Sequence, residues 1–279
     1  MARIKIVTDS TVDLSKEEIE QYEIEIVPLT IHINDNSYAD GVDITPSEFI
    51  EMMELSEELP KSSQPSVGVF VETYNRLNEE GTEILSIHLT KELSGTVQTA
   101  QSAAEMSNSK VIVIDSGFIS RGLAFQVLEA AKMAQEGKAM EEILTRLEAV
   151  RRKTKLYIVV DTLENLIKGG RIGKGTGLIG SLLKIKPIAS LEDGIYTPVA
   201  KVRSHAQAVK YLAKQFKEDT MGKTIKAVGL THAGGMDLAT QLKTAISEIS
   251  HEFEIEYTTP IVSTHTGVGA IGFTYYTEE

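Results

Sequence analysis

The sequence predicts an α/β protein of two domains: an N-terminal, mostly parallel sheet with flanking helices over 1–153, and a C-terminal α+β domain with a mixed or antiparallel sheet over 154–279. Three observations carry this. In the first half, short β-branched runs alternate with capped helical stretches, a pattern that calls for parallel strands joined by crossover helices. In the second half, strand-like runs predominate, and the pair around Glu192-Asp193-Gly194 has the turn residues of a hairpin. A length of 279 residues is comfortable for two cores, and such a chain buries roughly three quarters of its unfolded surface.

The elements follow in order. "RIKIVTDS" is a buried strand that ends in Asp and Ser. Ser15 with Glu18 forms a capping box for a first helix. "IEIVPLTIHI" is strand-like, with Pro28 breaking it or holding it at an edge. Thr45, Pro46 and Glu48 supply a cap, an N1 proline and an N3 acid for the next helix. Ser66 starts the helix "VGVFVETYNRLNEE". Then come strand "EILSIHL", helix "TVQTAQSAAEM", strand "KVIVID", and a helix from Ser120 ending at Gly137. The helix "AMEEILTRLEAVRRKTK" bridges to the second half. There "LYIVV", "IKPIASLEDGIYTPVAKV", "IKAVGLTHA", "FEIEYTTPIVSTH" and "AIGFTYYTE" read as strands, with helices at 205–217 and 236–249.

Composition narrows the function. The chain has no cysteine, which excludes disulfides, thiolate metal sites and cysteine nucleophiles, and fits a reducing compartment. "MARIKIVTDS" has no apolar run of signal-peptide type, and no run reaches membrane-spanning length. A net charge of −12 repels nucleic acid and anionic lipid. The expectation is a cytoplasmic protein with no nucleic-acid partner and no stable membrane insertion.

The chemical motifs are tested in turn. In "KGGRIGKGTGLIGSLLKIKP", Gly173-Lys174 is followed by Gly175 instead of Ser or Thr, so the phosphate-loop pattern fails. Gly175, Gly177 and Gly180 match G-x-G-x-x-G, yet no strand runs into them, so the glycines read as a flexible loop feeding a helix. Arg171 and Lys174 bring positive charge to that loop. The histidines at 32, 88, 205, 232, 251 and 265 have no ligand spacing and read mostly as surface or strand residues, so no metal and no cofactor is expected. His265 stands apart, at a strand end before a glycine-rich loop. Ser94, at a strand–turn–helix junction, suggests a serine hydrolase acting on acyl esters, with His265 as base. However, glutamate occupies the first glycine position of G-x-S-x-G. Anion holding is the other reading: free N–H groups at the helix start after Ser94, a second hydroxyl cluster in "KSSQPSVG" at a similar junction, and His265.

"IVTDSTVDL", "SSQPSVG", "LSGTVQTA", "IDSG", "GGRIG" and "HTGVGAIG" together resemble the DegV family, in that family's order and across nearly the whole chain. The resemblance implies a non-catalytic protein that binds a long-chain fatty acid and presents its carboxyl to a separate ATP-dependent kinase subunit, which makes an acyl phosphate for phospholipid synthesis. It further implies that Ser62, Ser94 and His265 hold the carboxyl, with Ser62 standing where threonine is common. Arg171 and Arg203 would line the route for phosphate or face the partner.

Overall fold

The computed structural model describes residues 3–181, 185–250 and 253–279. Its first half comprises β1 (Arg3–Asp9), α1 (Lys16–Gln21), β2 (Glu25–Val27), β3 (Thr30–Ile33), β4 (Asn36–Ala39), α2 (Pro46–Leu55), β5 (Lys61–Ser63), α3 (Val67–Leu77), β6 (Thr82–His88), α4 (Thr96–Met106), β7 (Lys110–Asp115), α5 (Ser120–Gln135) and α6 (Met140–Lys153). The second half comprises β8 (Thr154–Val159), α7 (Glu164–Lys168), a 3-10 segment (Gly173–Ser181), β9 (Lys186–Glu192), β10 (Ile195–Val202), α8 (His205–Thr220), β11 (Thr224–Ala233), α9 (Met236–Ile246), β12 (Ile255–Tyr257), α10 (Pro260–Thr266) and β13 (Ala270–Glu278).

A four-stranded sheet, β2-β1-β6-β7, is parallel throughout. The two-residue period of its strands sends neighbouring side chains to opposite faces. Ile6 and Leu85 pack under α5 and α6, while Val7 and Ile84 pack under α3 and α4. Both faces are therefore covered, as parallel sheets require. The capping boxes at Ser15/Glu18 and Thr45/Glu48 form as the sequence predicts.

A six-stranded sheet, β10-β9-β8-β13-β11-β12, is antiparallel except for the β11–β12 pair. The β9–β10 hairpin turns at Asp193 and Gly194, both at positive φ (51° and 78°), the signature of a primed turn. One face of this sheet is covered by α8 and α9 around Phe216 and Phe273. The other face builds an apolar cluster with Leu89, Phe118 and Ile119 from the first half and Leu166 and Val262 from the second. This shared cluster surrounds the cavity described below.

Pro28 breaks the run it sits in, as expected, and Thr30–Ile33 joins β4 and β5 in a separate antiparallel three-stranded sheet. Two expectations need correction. The run over 253–265 is not one strand: β12 stops at Tyr257 and α10 begins at Pro260, with Thr259 as its cap. Threonine before proline at the first helical position is a helix start, and it outweighs the β-branched composition of "TTPIV". The glycine-rich segment is also more ordered than a loop. The helix α7 precedes it, and Gly173–Ser181 winds as a 3-10 helix with no strand leading in. Residues 182–184 of that motif lie outside the described residues.

Candidate ligand-binding site

Four loops or short elements converge where the two halves meet. β1 ends in Asp9, whose buried carboxylate accepts from the Thr11 N–H (3.0 Å), the Thr11 hydroxyl (2.6 Å) and the Leu89 N–H (2.8 Å). One side chain thereby fixes the chain after β1 and the chain after β6, and both Thr11 and Leu89 line the cavity. His88 Nδ1 lies 3.0 Å from Asp9, and its Nε2 continues through Ser86 (2.7 Å) to the Tyr74 hydroxyl (2.8 Å). His88 on β6 and His232 on β11 are both buried strand residues, in line with the expectation that most histidines lie at the surface or in strands. His251 lies outside the described residues.

Ser94 follows the β6 loop. Gly95, not Ser94, is the residue at the cap position of α4, and no side chain caps this helix. The Ser94 hydroxyl lies one position earlier, where it accepts from the Thr96 N–H (3.3 Å) and pairs with the Thr96 hydroxyl (2.9 Å). A Cβ at position 95 would meet the end of the exposed Gln64 side chain, which would have to swing aside. Gln64 in turn donates to Thr99 on α4 at 2.5 Å. This hydrogen bond ties the "SSQPS" segment to the helix that follows "LSGT", a link the sequence does not reveal.

Ser62 does not lie at the carboxyl end of a parallel strand. It sits on β5, opposite Ile31 of β3, in the small antiparallel sheet. Its hydroxyl is 2.7 Å from His265 Nε2. His265 rides on α10, held beside α7 where Asn165 donates to the Thr264 carbonyl (3.0 Å). The imidazole Nδ1 abuts Gly169, whose Cβ, if present, would lie 2.5 Å away. That nitrogen is buried without a partner among the described residues, so Nε2 is the nitrogen left for polar contact. Burial, followed by the charge of Arg171, pushes the His265 pKa down to about 4, so the ring is neutral at pH 7.

Arg171, half-buried after α7, donates from Nε to the Leu93 carbonyl (3.1 Å) and from a terminal nitrogen to the Gly169 carbonyl. Burial lowers its pKa, and no carboxylate contributes to that shift. A cation of very high intrinsic pKa stays protonated here. The result is a positive charge at the cavity wall without an anionic partner among the described side chains. Arg203 is not part of this grouping. It is exposed between β10 and α8, where its backbone N–H donates to Gln207 (2.7 Å).

The cavity itself has a volume of about 260 Å³. Ser62, Ser94, Arg171 and His265 line it together with an apolar wall that includes Leu29, Leu89, Ile119, Ile158, Leu191 and Val262. Among the described residues no cluster of His, Asp or Glu fits a metal ion, and no helix is long and apolar enough to cross a membrane.

Fold and site together define a three-sheet α/β protein with a mostly apolar internal cavity and convergent hydroxyl, imidazole and guanidinium groups. The chain belongs to the DegV family: the family described as "Uncharacterised protein, DegV family" matches residues 3–278. A DegV domain-containing protein of Listeria monocytogenes is 47% identical over 281 residues, covering 100% of both chains. Among solved structures, a DegV family protein of Thermus thermophilus described for its fatty acid binding matches with a TM-score of 0.92 and 32% identity over 99% of each chain. DegV of Bacillus subtilis, described as a fatty acid binding protein, matches with a TM-score of 0.91 and 30% identity over 100% of each.

Proposed function

We propose that this protein binds a long-chain fatty acid in the cavity lined from both halves of the chain, with the carboxyl at Ser62, Ser94 and His265. The observation that carries this reading is the combination of an apolar wall with the unpaired Arg171 cation and a neutral imidazole at one cavity. A carboxylate is costly to desolvate and needs donors and positive charge. An acyl chain needs the apolar wall. Burying about a dozen methylenes at ~0.8 kcal/mol each is worth on the order of 10 kcal/mol before ordering costs. The fatty acid binding described for the Thermus and Bacillus relatives supports the same ligand here.

The finer reading is that the bound carboxyl is presented to an ATP-dependent kinase subunit for conversion to an acyl phosphate, as a step toward phospholipid synthesis in the cytoplasm. In this scheme the chain is not itself an enzyme. Arg171 steadies negative charge at the carboxyl, and exposed Arg203 faces the partner. The hydrolase alternative is weaker. His265 pairs with Ser62 instead of Ser94, its Nδ1 has no carboxylate to orient it, and a pKa of about 4 makes it a poor base.

The test has two arms. Organic extraction of the protein purified from cells, followed by mass spectrometry, should release a noncovalent fatty acid. Radiolabelled fatty acid, ATP, Mg²⁺ and a cognate kinase subunit should yield acyl phosphate only when both proteins are present. Absence of bound lipid, with no thermal shift on adding fatty acid back, sinks the binding reading. Covalent acylation of Ser62 or Ser94 during turnover would restore the hydrolase.

A further inference from the structure

The chain between β1 and α1 carries a buried carboxylate that does not line the cavity, Asp13. It accepts from the Ser120 hydroxyl at the start of α5, from the Thr258 hydroxyl (3.0 Å) and from the Thr259 N–H (3.0 Å). Ser120 belongs to the first half, whereas the two threonines lie in the second half, 245 and 246 positions from Asp13. Burial raises the Asp13 pKa to about 6, while these three donors and the Arg121 charge pull it down, so the group is largely ionised at neutral pH. All three bonds are then made to an anion, the stronger class of hydrogen bond.

What these bonds hold is the start of α10. Thr259 is the cap residue of that helix, yet its own side chain makes no capping bond; its backbone N–H is fixed by Asp13 instead. Thr258 is tied from the other side, where its N–H donates to the His232 carbonyl on β11 at 2.9 Å. His265 rides on the same short helix, about 9 Å beyond Thr259 at a rise of about 1.5 Å per residue. The far end of α10 is held separately, by Asn165 on the Thr264 carbonyl. The contact of 2.7 Å between His265 and Ser62 has little slack, because a displacement of about 1 Å takes it beyond hydrogen-bonding distance. Asp13 also steadies a second part of the cavity wall. Ser120 follows Ile119, which lines the cavity, and has a φ of 57°, uncommon for a residue with a side chain. Its N–H donates to the Thr11 carbonyl (2.9 Å) and its hydroxyl to Asp13, so that conformation is held from both ends.

We infer that Asp13 is a positioning residue: it fixes the start of α10 so that His265 reaches Ser62 at the polar end of the cavity. Its bearing on the ligand rests on the fatty acid reading above; the geometry it sets does not. Weakening the anchor lets α10 shift, which draws the imidazole away from Ser62. An apolar wall tolerates such a shift, whereas a hydrogen bond loses strength steeply with distance and angle. The carboxyl therefore suffers more than the acyl chain.

The test uses the full chain, delipidated, with three variants. Thr258→Val keeps the shape and removes one donor, Thr258→Ser restores that donor, and Asp13→Asn keeps the shape and removes the charge. The first readout needs no ligand: the ring nitrogen resonances of His265 in isotope-labelled protein, assigned by their loss in His265→Ala. In Thr258→Val and Asp13→Asn the Nε2 resonance should move toward its position in Ser62→Ala, and in Thr258→Ser it should return. The second readout is calorimetry. Thr258→Val should weaken hexadecanoic acid roughly tenfold and its methyl ester less than about twofold, with Thr258→Ser close to wild type. If one of Thr258→Val and Asp13→Asn loses its cooperative melting transition, the other carries the test; if both lose it, Asp13 serves folding alone and the positioning role is overturned. An unmoved His265 resonance, or equal weakening of acid and ester, overturns it as well. A moved resonance in a protein whose wild type binds neither ligand supports the anchor and removes the fatty acid reading.

Discussion

Asp40 should make this protein less stable as pH rises. Its carboxyl is 2% exposed, next to α10, and neither oxygen has a partner in hydrogen-bonding geometry. Burial pushes its pKa up to about 8; Ser10 and the Ile261 amide offset this only in part, and the charges of Asp13 and Asp9 raise it further. Neither contact is a hydrogen bond of normal geometry, so desolvation of the carboxyl dominates. A folded pKa above the unfolded value of 3.8 means that the folded state holds the proton more tightly. Stability from this group is complete below about pH 4, falls by about 1.4 kcal/mol per pH unit across the window, and is fully lost above about pH 8. Between about pH 5 and about pH 8 the loss comes to roughly 4 kcal/mol.

Other carboxylates titrate as well, so the informative quantity is a difference. Asp40→Asn keeps the shape and cannot ionise. Denaturant unfolding of both proteins at the two pH values should give similar stabilities near pH 5 and a variant more stable by several kcal/mol near pH 8. Parallel pH profiles, or a wild type that gains on the variant as pH rises, would refute the claim that Asp40 is neutral in the folded protein. The consequence reaches the site, because Leu29, whose carbonyl accepts the Asp40 N–H, and Ile261 both line the cavity.

Ser94→Ala should weaken fatty acid binding by roughly ten- to a hundredfold, the worth of one hydrogen bond to a charged group, while the methyl ester binds almost unchanged; calorimetry on both ligands checks this. Gly95→Ala pushes the end of the Gln64 side chain aside, so loss of the Gln64–Thr99 hydrogen bond should cost about 0.5–1.5 kcal/mol in denaturant unfolding. Arg171→Gln should reduce affinity for the fatty acid anion more than for its ester, with a smaller salt dependence than a surface ion pair shows; equal losses for both ligands would mean that Arg171 only packs. His265→Ala should cut acyl phosphate yield with a kinase partner, and no new ionisation near pH 6.5 should be lost with it, since the ring is already neutral there.

Local chemistry was legible in the chain. Capping boxes at Ser15 and Thr45, the break at Pro28 and the hairpin at Asp193-Gly194 depend on neighbours within a few residues, and sequence alone determined them. So did the parallel and antiparallel character of the two halves, because helix–strand alternation leaves few topologies. Ser62, Ser94, Arg171 and His265 were visible through motifs, yet their convergence was not. Ser62 reaches His265 across 203 positions only because β5 pairs with β3 and α10 packs against that small sheet. The same limit hid the Gln64–Thr99 hydrogen bond and the unpartnered Asp40. A space has no residue of its own. Cavities, orphaned charges and shifted pKa values are set by what distant segments leave unfilled, and only tertiary packing decides that.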